Sequence, residues 1–372
     1  MGAVVVSYAV FLRSIGFSLN DITLVEMFYS IVVVIAEVPT GMLADGRSRA
    51  LSLKTGVMLQ AIGALVYMCA YGVLTAIVAE AILAVGMSFI SGAKQAWIAD
   101  ALSREGKSEN LRRVYATDSI FGGISIMAGG IIGGVLIPIH FRVVWIPLFL
   151  SHICAWCVCM RFMNRQGEPL ERSNEWSALR RSIAHLRKSR ALIWLVTTMV
   201  VFGTVASFGF YWSLYFIAEI GNLGISGLWA IMYIGLMASG FFVRHMTISQ
   251  GKESLYIVLS LLFSGVGLIF IPFTTGLFIP MIFVVLHEAG RGMFQPLTDS
   301  FAQHRIGSSY RATFGSLQSF LGRTGFAIVP FIIWISIDGK PDTPLTIGVV
   351  WIISGAVLIV SSIVMWLFRP QN

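Results

Sequence analysis

Apolar residues arrive along this chain in blocks of roughly twenty, and polar residues are largely confined to the short gaps between them. Twelve blocks are legible, at about residues 1–17, 22–43, 51–72, 75–99, 113–137, 142–163, 191–218, 226–245, 254–273, 276–298, 312–336 and 345–368. A helix rises 1.5 Å per residue, so about twenty residues cross roughly 30 Å of hydrocarbon. The pattern predicts an all-α, polytopic membrane protein with twelve transmembrane helices. Most gaps are short, so neighbouring helices are expected to run antiparallel. The first block is the shortest, about seventeen residues or roughly 25 Å of helix. Its sequence, MGAVVVSYAVFLRSIGF, lacks a basic start and a small-residue cleavage pattern, so a membrane helix is expected rather than a signal peptide. Either that helix is short, or the true start lies upstream of Met1.

The longest gap, 164–190, contains NEWSALRRSIAHLRKS. Trp176, Leu179, Ile183 and Leu186 recur at steps of 3, 4 and 3, an apolar stripe opposite a basic face. That predicts a helix lying on an anionic membrane surface, with Asn174 as its N-cap. The expected plan is a six-helix bundle over 1–163, a cytoplasmic linker over 164–190 and a second six-helix bundle over 191–372.

Composition sharpens this picture. The chain is 56% hydrophobic and 12% charged, where a soluble domain carries about 25% charged residues. The net charge of +8 would suggest nucleic acid in a soluble protein, but its placement argues for a lipid bilayer and against nucleic acid. Twenty of the 26 Lys and Arg residues fall in or beside alternate gaps, on one side of the expected membrane. By the excess of cations on the cytoplasmic side, both termini are expected in the cytoplasm of a cell membrane, the inner one in a bacterium. Four cysteines, Cys69, Cys154, Cys157 and Cys159, lie inside apolar blocks and are expected as small packing residues rather than metal ligands.

One stretch breaks the rhythm. EVPTGMLADGRSRALSLKTG, residues 37–56, crowds two carboxylates and three cations between apolar blocks. Within it, Gly41-Met-Leu-Ala-Asp45-Gly46-Arg47-Ser48-Arg49 resembles the cytoplasmic signature of the major facilitator superfamily, roughly G-x-x-x-D-(R/K)-x-G-R-(R/K). Gly41, Asp45 and Arg49 match in place. Gly46 and Ser48 occupy the positions of the basic residue and second glycine, and Ala50 replaces the last cation. SGAKQAWIADAL at the end of the fourth block and SSYRATFGSLQSFLGR at the start of the eleventh are also similar to members of this family. The resemblance implies two six-helix bundles that rock about a central cavity. It implies a cytoplasmic gate in which Asp45 meets the eleventh helix, with Arg47, Arg49, Asp100, Arg112 and Arg113 joining the charge cluster. Gly41 would let the second helix approach a neighbour closely. In the fifth block, Gly129, Gly130, Gly133 and Gly134 resemble the family's glycine-rich antiporter motif, with Gly130 where that motif has proline. Packing of small residues on one face explains them equally.

Ionisable groups at membrane depth cost about 2.5–3.5 kcal/mol each on insertion scales, so each points to function. By the resemblance, the first, fourth, seventh and tenth helices line the cavity. On the fourth, Glu80, Met87, Ser91 and Lys94 share a face. On the tenth, His287, Arg291 and Gln295 are four apart, and Glu288 stands three before Arg291. Glu288 and Arg291 are spaced for an ion pair, and Glu80, His287 and Glu288 are the candidate proton carriers. Arg13 adds a cation on the first helix. Phe208, Tyr211, Trp212 and Tyr215 on the seventh make either a substrate-facing aromatic wall or a packing seam. Glu26 and Glu37, on the flanking second helix, are expected to be structural, and Arg323 to brace the eleventh.

The pair His287-Glu288 opens like a zinc-protease motif, but Arg291 stands where the second histidine belongs. No phosphate loop, nucleophile elbow or cysteine ligand set is present in the sequence. The expected function is therefore that of a monomeric secondary transporter, not an enzyme, with no cofactor and no metal. It would move a small organic molecule by alternating access, with protons as the coupling partner and efflux by antiport as the favoured direction. A proton-coupled importer of a sugar or organic acid is the alternative, as is a membrane sensor of the same fold that transports nothing.

Overall fold

Long apolar runs without a polar break leave the backbone no water to bond with, and in hydrocarbon only a helix or a closed barrel satisfies every N–H and C=O internally. In a computed structural model, which describes residues 2–46, 48–107, 110–163, 184, 186–246, 252–276, 278–305 and 311–370, these runs are helices, and no strand occurs among the described residues. The helices are α1 (Gly2–Ser14), α2 (Leu19–Gly46), α3 (Arg49–Met68), α4 (Val73–Arg104), α5 (Leu111–Leu136) and α6 (Trp145–Phe162). They continue with α7 (Arg190–Phe202), α8 (Ala206–His245), α9 (Glu253–Phe270), α10 (Phe278–Arg305), α11 (Arg311–Ile337) and α12 (Pro344–Leu367). Short 3-10 turns, Gly203–Val205 and Ile271–Phe273, follow α7 and α9.

Nine stretches among the described residues are long and apolar enough to cross a membrane. One of them, Arg190–Val243, has 54 residues, which as a straight helix would measure about 80 Å and overshoot any bilayer. It turns back at Gly221, whose φ of 67° and ψ of 179° lie in a region open essentially to glycine alone. Trp212 and Trp229, nine residues before and eight after it, stack with ring centroids 5.7 Å apart. The seven-residue loop expected between the seventh and eighth blocks is thus one glycine. Counting both arms of this hairpin and adding α1 and α10 makes a chain consistent with twelve passes. α1 misses the criterion on length, and α10 on the polar side chains it carries.

The chain divides into two compact units, Met1–Glu175 and Trp176–Asn372. The surface helix expected within 164–190 lies almost wholly outside the described residues. In the first unit α3 packs on α4 and α6, α2 on α4, and α1 on α5. In the second, α9 packs on α10 and α12, the second arm of α8 on α10, and α7 on α11. The two internal plans are the same, and the likeness extends to single bonds. Gln60 Nε2 on α3 donates to the Leu83 carbonyl of α4 at 2.6 Å, and Ser264 Oγ on α9 donates to the His287 carbonyl of α10 at 3.2 Å. Donor and acceptor are each shifted by 204 residues between these bonds. The same shift takes Gly63 beside Leu83 to Gly267 beside His287, and Gly86 against Gly56 to Gly290 against Ser260.

Small residues make these crossings possible, because without an apolar driving force between helices close packing must hold them. A Cβ placed on Gly203 would stand 2.4 Å from the Gly325 carbonyl carbon, and one on Gly325 would stand 2.3 Å from the Val200 carbonyl oxygen. Gly130, Gly133 and Gly134 are buried on α5, which packs on α1, and Gly129 is half-buried. Large apolar side chains such as Ile131, Phe331, Ile335 and Val360 lie on the outside, as a lipid-facing surface requires. Three of the four cysteines do the same: Cys69, Cys154 and Cys157 are exposed thiols rather than packing residues. α6 buries little of its circumference against α3 and α1, which leaves its cysteine face outward.

Candidate functional site

The two-residue gap between α2 and α3 explains the crowding of charges in 37–56. Ser48 caps α3, its side chain accepting from the Leu51 N–H at 3.1 Å. One residue on, Arg49 reaches α4, where it pairs with Asp100 and donates to the Ala96 carbonyl at 3.2 Å. That ion pair ties α3 to the end of α4 within the first unit. Arg113 is exposed on α5. The side chains of Asp45 and Arg112, and all of Arg47, lie outside the described residues. A Cβ on Gly41 would meet nothing within 4 Å in its own unit. Among the described residues of its own unit, no close helix approach is made there.

The polar face expected on α4 is divided among three neighbours. Glu80 is 6% exposed and accepts from the Tyr67 hydroxyl of α3 at 2.7 Å. Ser91 Oγ lies 3.4 Å from Glu37 Oε1 on α2. Lys94 pairs with Asp118 of α5 at 2.7 Å, both side chains just over 40% exposed (43% and 42%). Sequence reasoning missed Asp118, because a lone aspartate two turns into a helix gives no local sign of a partner twenty-four residues away. α1 ends at Ser14, and Arg13 sits in its last turn, exposed, donating to the Phe17 carbonyl at 3.0 Å, where a cation complements the helix dipole.

In the second unit α10 carries a polar strip. Arg291 Nη1 donates to Glu288 Oε1 at 2.7 Å, with the carboxylate side chain 2% exposed and the guanidinium 34%. Gln295 follows, exposed, donating to Asp299 Oδ1 at 2.8 Å. Tyr233, on the second arm of α8, interacts electrostatically with both Arg291 and Glu288 and packs on Trp229 at 4.8 Å. Asp299 also escaped sequence reasoning, although it stands four residues beyond Gln295 on the same face. His287 turns away from this strip toward α9. Its Nδ1 donates to the Ser264 carbonyl at 3.0 Å, and its ring lies 4.8 Å from Phe208. Tyr211 and Trp212 are buried inside the unit, so the aromatic face of the seventh helix is a packing seam. Tyr215 lies on Trp351 at 4.6 Å, and Trp351 Nε1 donates to the Ser207 carbonyl at 3.1 Å.

Charged side chains at membrane depth that stay partly exposed, as Lys94, Asp118 and Arg291 do, need water or a polar ligand beside them. The sequence profile of the Major Facilitator Superfamily matches residues 1–330. The chain belongs to that superfamily. Among solved structures, the nucleoside transporter NupG aligns over 100% of this chain and 96% of its own, with a TM-score of 0.82 at 11% identity. A bacterial homologue of the human lysosomal transporter Spinster, in an inward-facing and occupied conformation, aligns over 100% and 93%, with a TM-score of 0.75 at 12% identity. At such identities the likeness is one of fold. No curated protein matches the chain by sequence. Membership of the Major Facilitator Superfamily makes this multi-pass membrane protein a transporter rather than an enzyme. Its polar residues are therefore read as binding and coupling groups.

Proposed function

We propose that the chain is a secondary transporter that moves a small organic molecule by alternating access, driven by protons. The observation that supports this reading is the α10 strip, Glu288–Arg291–Gln295–Asp299, set in a unit otherwise built to face lipid. Glu288 holds the guanidinium from its buried side, so the remaining N–H donors of Arg291 are presented on the exposed side together with the Gln295 amide. Such a surface recognises a molecule with hydrogen-bond acceptors, and the half-buried Tyr233 adds an aromatic contact. On α4, Ser91 and the Lys94–Asp118 pair supply a polar face of the first unit. The protein acts as a monomer, and its termini are cytoplasmic by the distribution of cations. The glycine-rich face of α5 favours efflux by antiport.

The test uses purified full-length protein in sealed proteoliposomes, with a panel of labelled nucleosides, sugars, organic acids and lipophilic drugs. Movement of one class against its gradient only when a pH difference is imposed is the expected result, and its direction separates efflux from import. Binding by thermal shift with no movement of any bound compound would overturn transport in favour of a sensor.

A further inference from the structure

Two carboxyl groups within the first unit have no cationic partner among the described residues. Glu80 on α4 is buried and accepts from Tyr67, whose hydroxyl lies 3.2 Å from that of Tyr8 on α1. Glu26 is on α2, which runs parallel to α4. Ser88 Oγ donates to the Val33 carbonyl at 3.4 Å, and Ser91 meets Glu37 at the same distance, which fixes the register of the pair at an offset of 54 to 55 residues. Glu26 and Glu80 are also 54 apart. Each stands eleven residues before the Glu37–Ser91 contact, three turns back on the same face of its helix. Each is seven residues past the first residue of its helix, so both lie at one level, about 10 Å in from the end where α2 and α4 begin. The two carboxyls interact electrostatically.

The surroundings offer neither of them a cation. Tyr8 faces the site from α1, Tyr67 from α3, and α6 contributes the Trp145 ring, stacked on Tyr67 at 4.1 Å. Arg13 is engaged with the Phe17 carbonyl, and Asp21 with Ser18. Arg142 donates to the Met68 carbonyl at 2.5 Å with its guanidinium 4.2 Å from the Tyr71 ring centroid. His152 of α6 is bonded to the Leu148 carbonyl. Two neighbouring carboxylates in a medium that solvates charge poorly do not both stay ionised, and a shared proton removes the repulsion.

We propose that Glu26 and Glu80 form a carboxyl pair that binds one proton between them, oriented by the hydroxyls of Tyr67 and Tyr8, and that this is the proton coupled to transport. The second half of the statement rests on the transport reading above; the first does not. Infrared titration of the full-length protein in lipid tests the pair directly, through the carbonyl stretch of protonated carboxyl groups. The wild type shows such a band that vanishes as pH rises. Glu26→Gln and Glu80→Gln each move the midpoint of the remaining carboxyl to lower pH by about one unit or more, since a coupled partner has been removed, and the double variant loses the band. A Glu80 midpoint unmoved by Glu26→Gln, or a band that persists in the double variant, overturns the pair. In proteoliposomes, wild-type transport that follows the pH gradient and fails to follow it in both single variants supports the coupling role. Gradient-driven transport that survives in the double variant overturns that role. Transport indifferent to pH in the wild type, with the coupled band present, refutes the proton-driven reading and leaves the pair standing.

Discussion

Arg291 and Glu288 illustrate how unequal the two members of one ion pair are. The carboxylate is almost wholly enclosed, while a third of the guanidinium remains exposed. Removing a buried group's partner leaves an uncompensated charge, which costs about 3–5 kcal/mol in soluble proteins, whereas removing the enclosed member leaves a cation that is still solvated. Arg291→Met is therefore expected to lower the melting temperature of the purified protein clearly more than Glu288→Gln does. Equal losses would mean that the guanidinium is as enclosed as the carboxylate. The spacing of these two residues was legible in the sequence because i and i+3 are neighbours on any helix. The partners of Lys94 and Glu80 were not, since Asp118 and Tyr67 come from other helices and only packing brings them near. The same holds for Glu26, since nothing in its own segment reveals that α2 and α4 run parallel in a register that sets Glu26 level with Glu80.

At the scale of the helix, what the apolar blocks predicted and what formed agree closely wherever length alone decides. They part at two places. The loop expected near 219–225 is absorbed into helix on both sides of Gly221, because one glycine at positive φ, between Glu219 and Asn222, reverses the chain. α10 carries more polar side chains than a lipid-facing span tolerates, so its identity as a crossing element rests on its neighbours α8 and α9. The α7–α11 crossing depends on a contact that no hydropathy pattern reveals, Gly203 against Gly325. Both added Cβ atoms would collide with backbone rather than with a movable side chain. Gly325→Ala should then cost about 1–3 kcal/mol through overpacking, seen as a lower melting temperature in detergent. Gly41→Ala, with open space around it in its unit, should leave the melting temperature unchanged. A Gly325→Ala protein as stable as the wild type would show that the two helices separate freely.

For the whole molecule, the repeated internal plan of the two units bears on how the transporter works. Equivalent helices in each unit hold equivalent seams, α3 with α4 and α9 with α10, so each unit is braced in the same way and suited to move as a body. We propose that the signature residue Asp45 serves motion of this kind rather than stability. Asp45→Asn is expected to reduce transport in proteoliposomes at least tenfold while expression and ligand-induced thermal shift stay near wild type. Undiminished transport would remove Asp45 from the gate. The turn at Gly221 carries a consequence for synthesis as well. The 54 residues from Arg190 to Val243 reach the membrane as one apolar run broken at its middle only by Glu219 and Asn222, with no basic loop there to hold either side. Neither arm has a tether long enough to wait for the other. The two must therefore enter the bilayer together, as a preformed hairpin whose tip is a single residue.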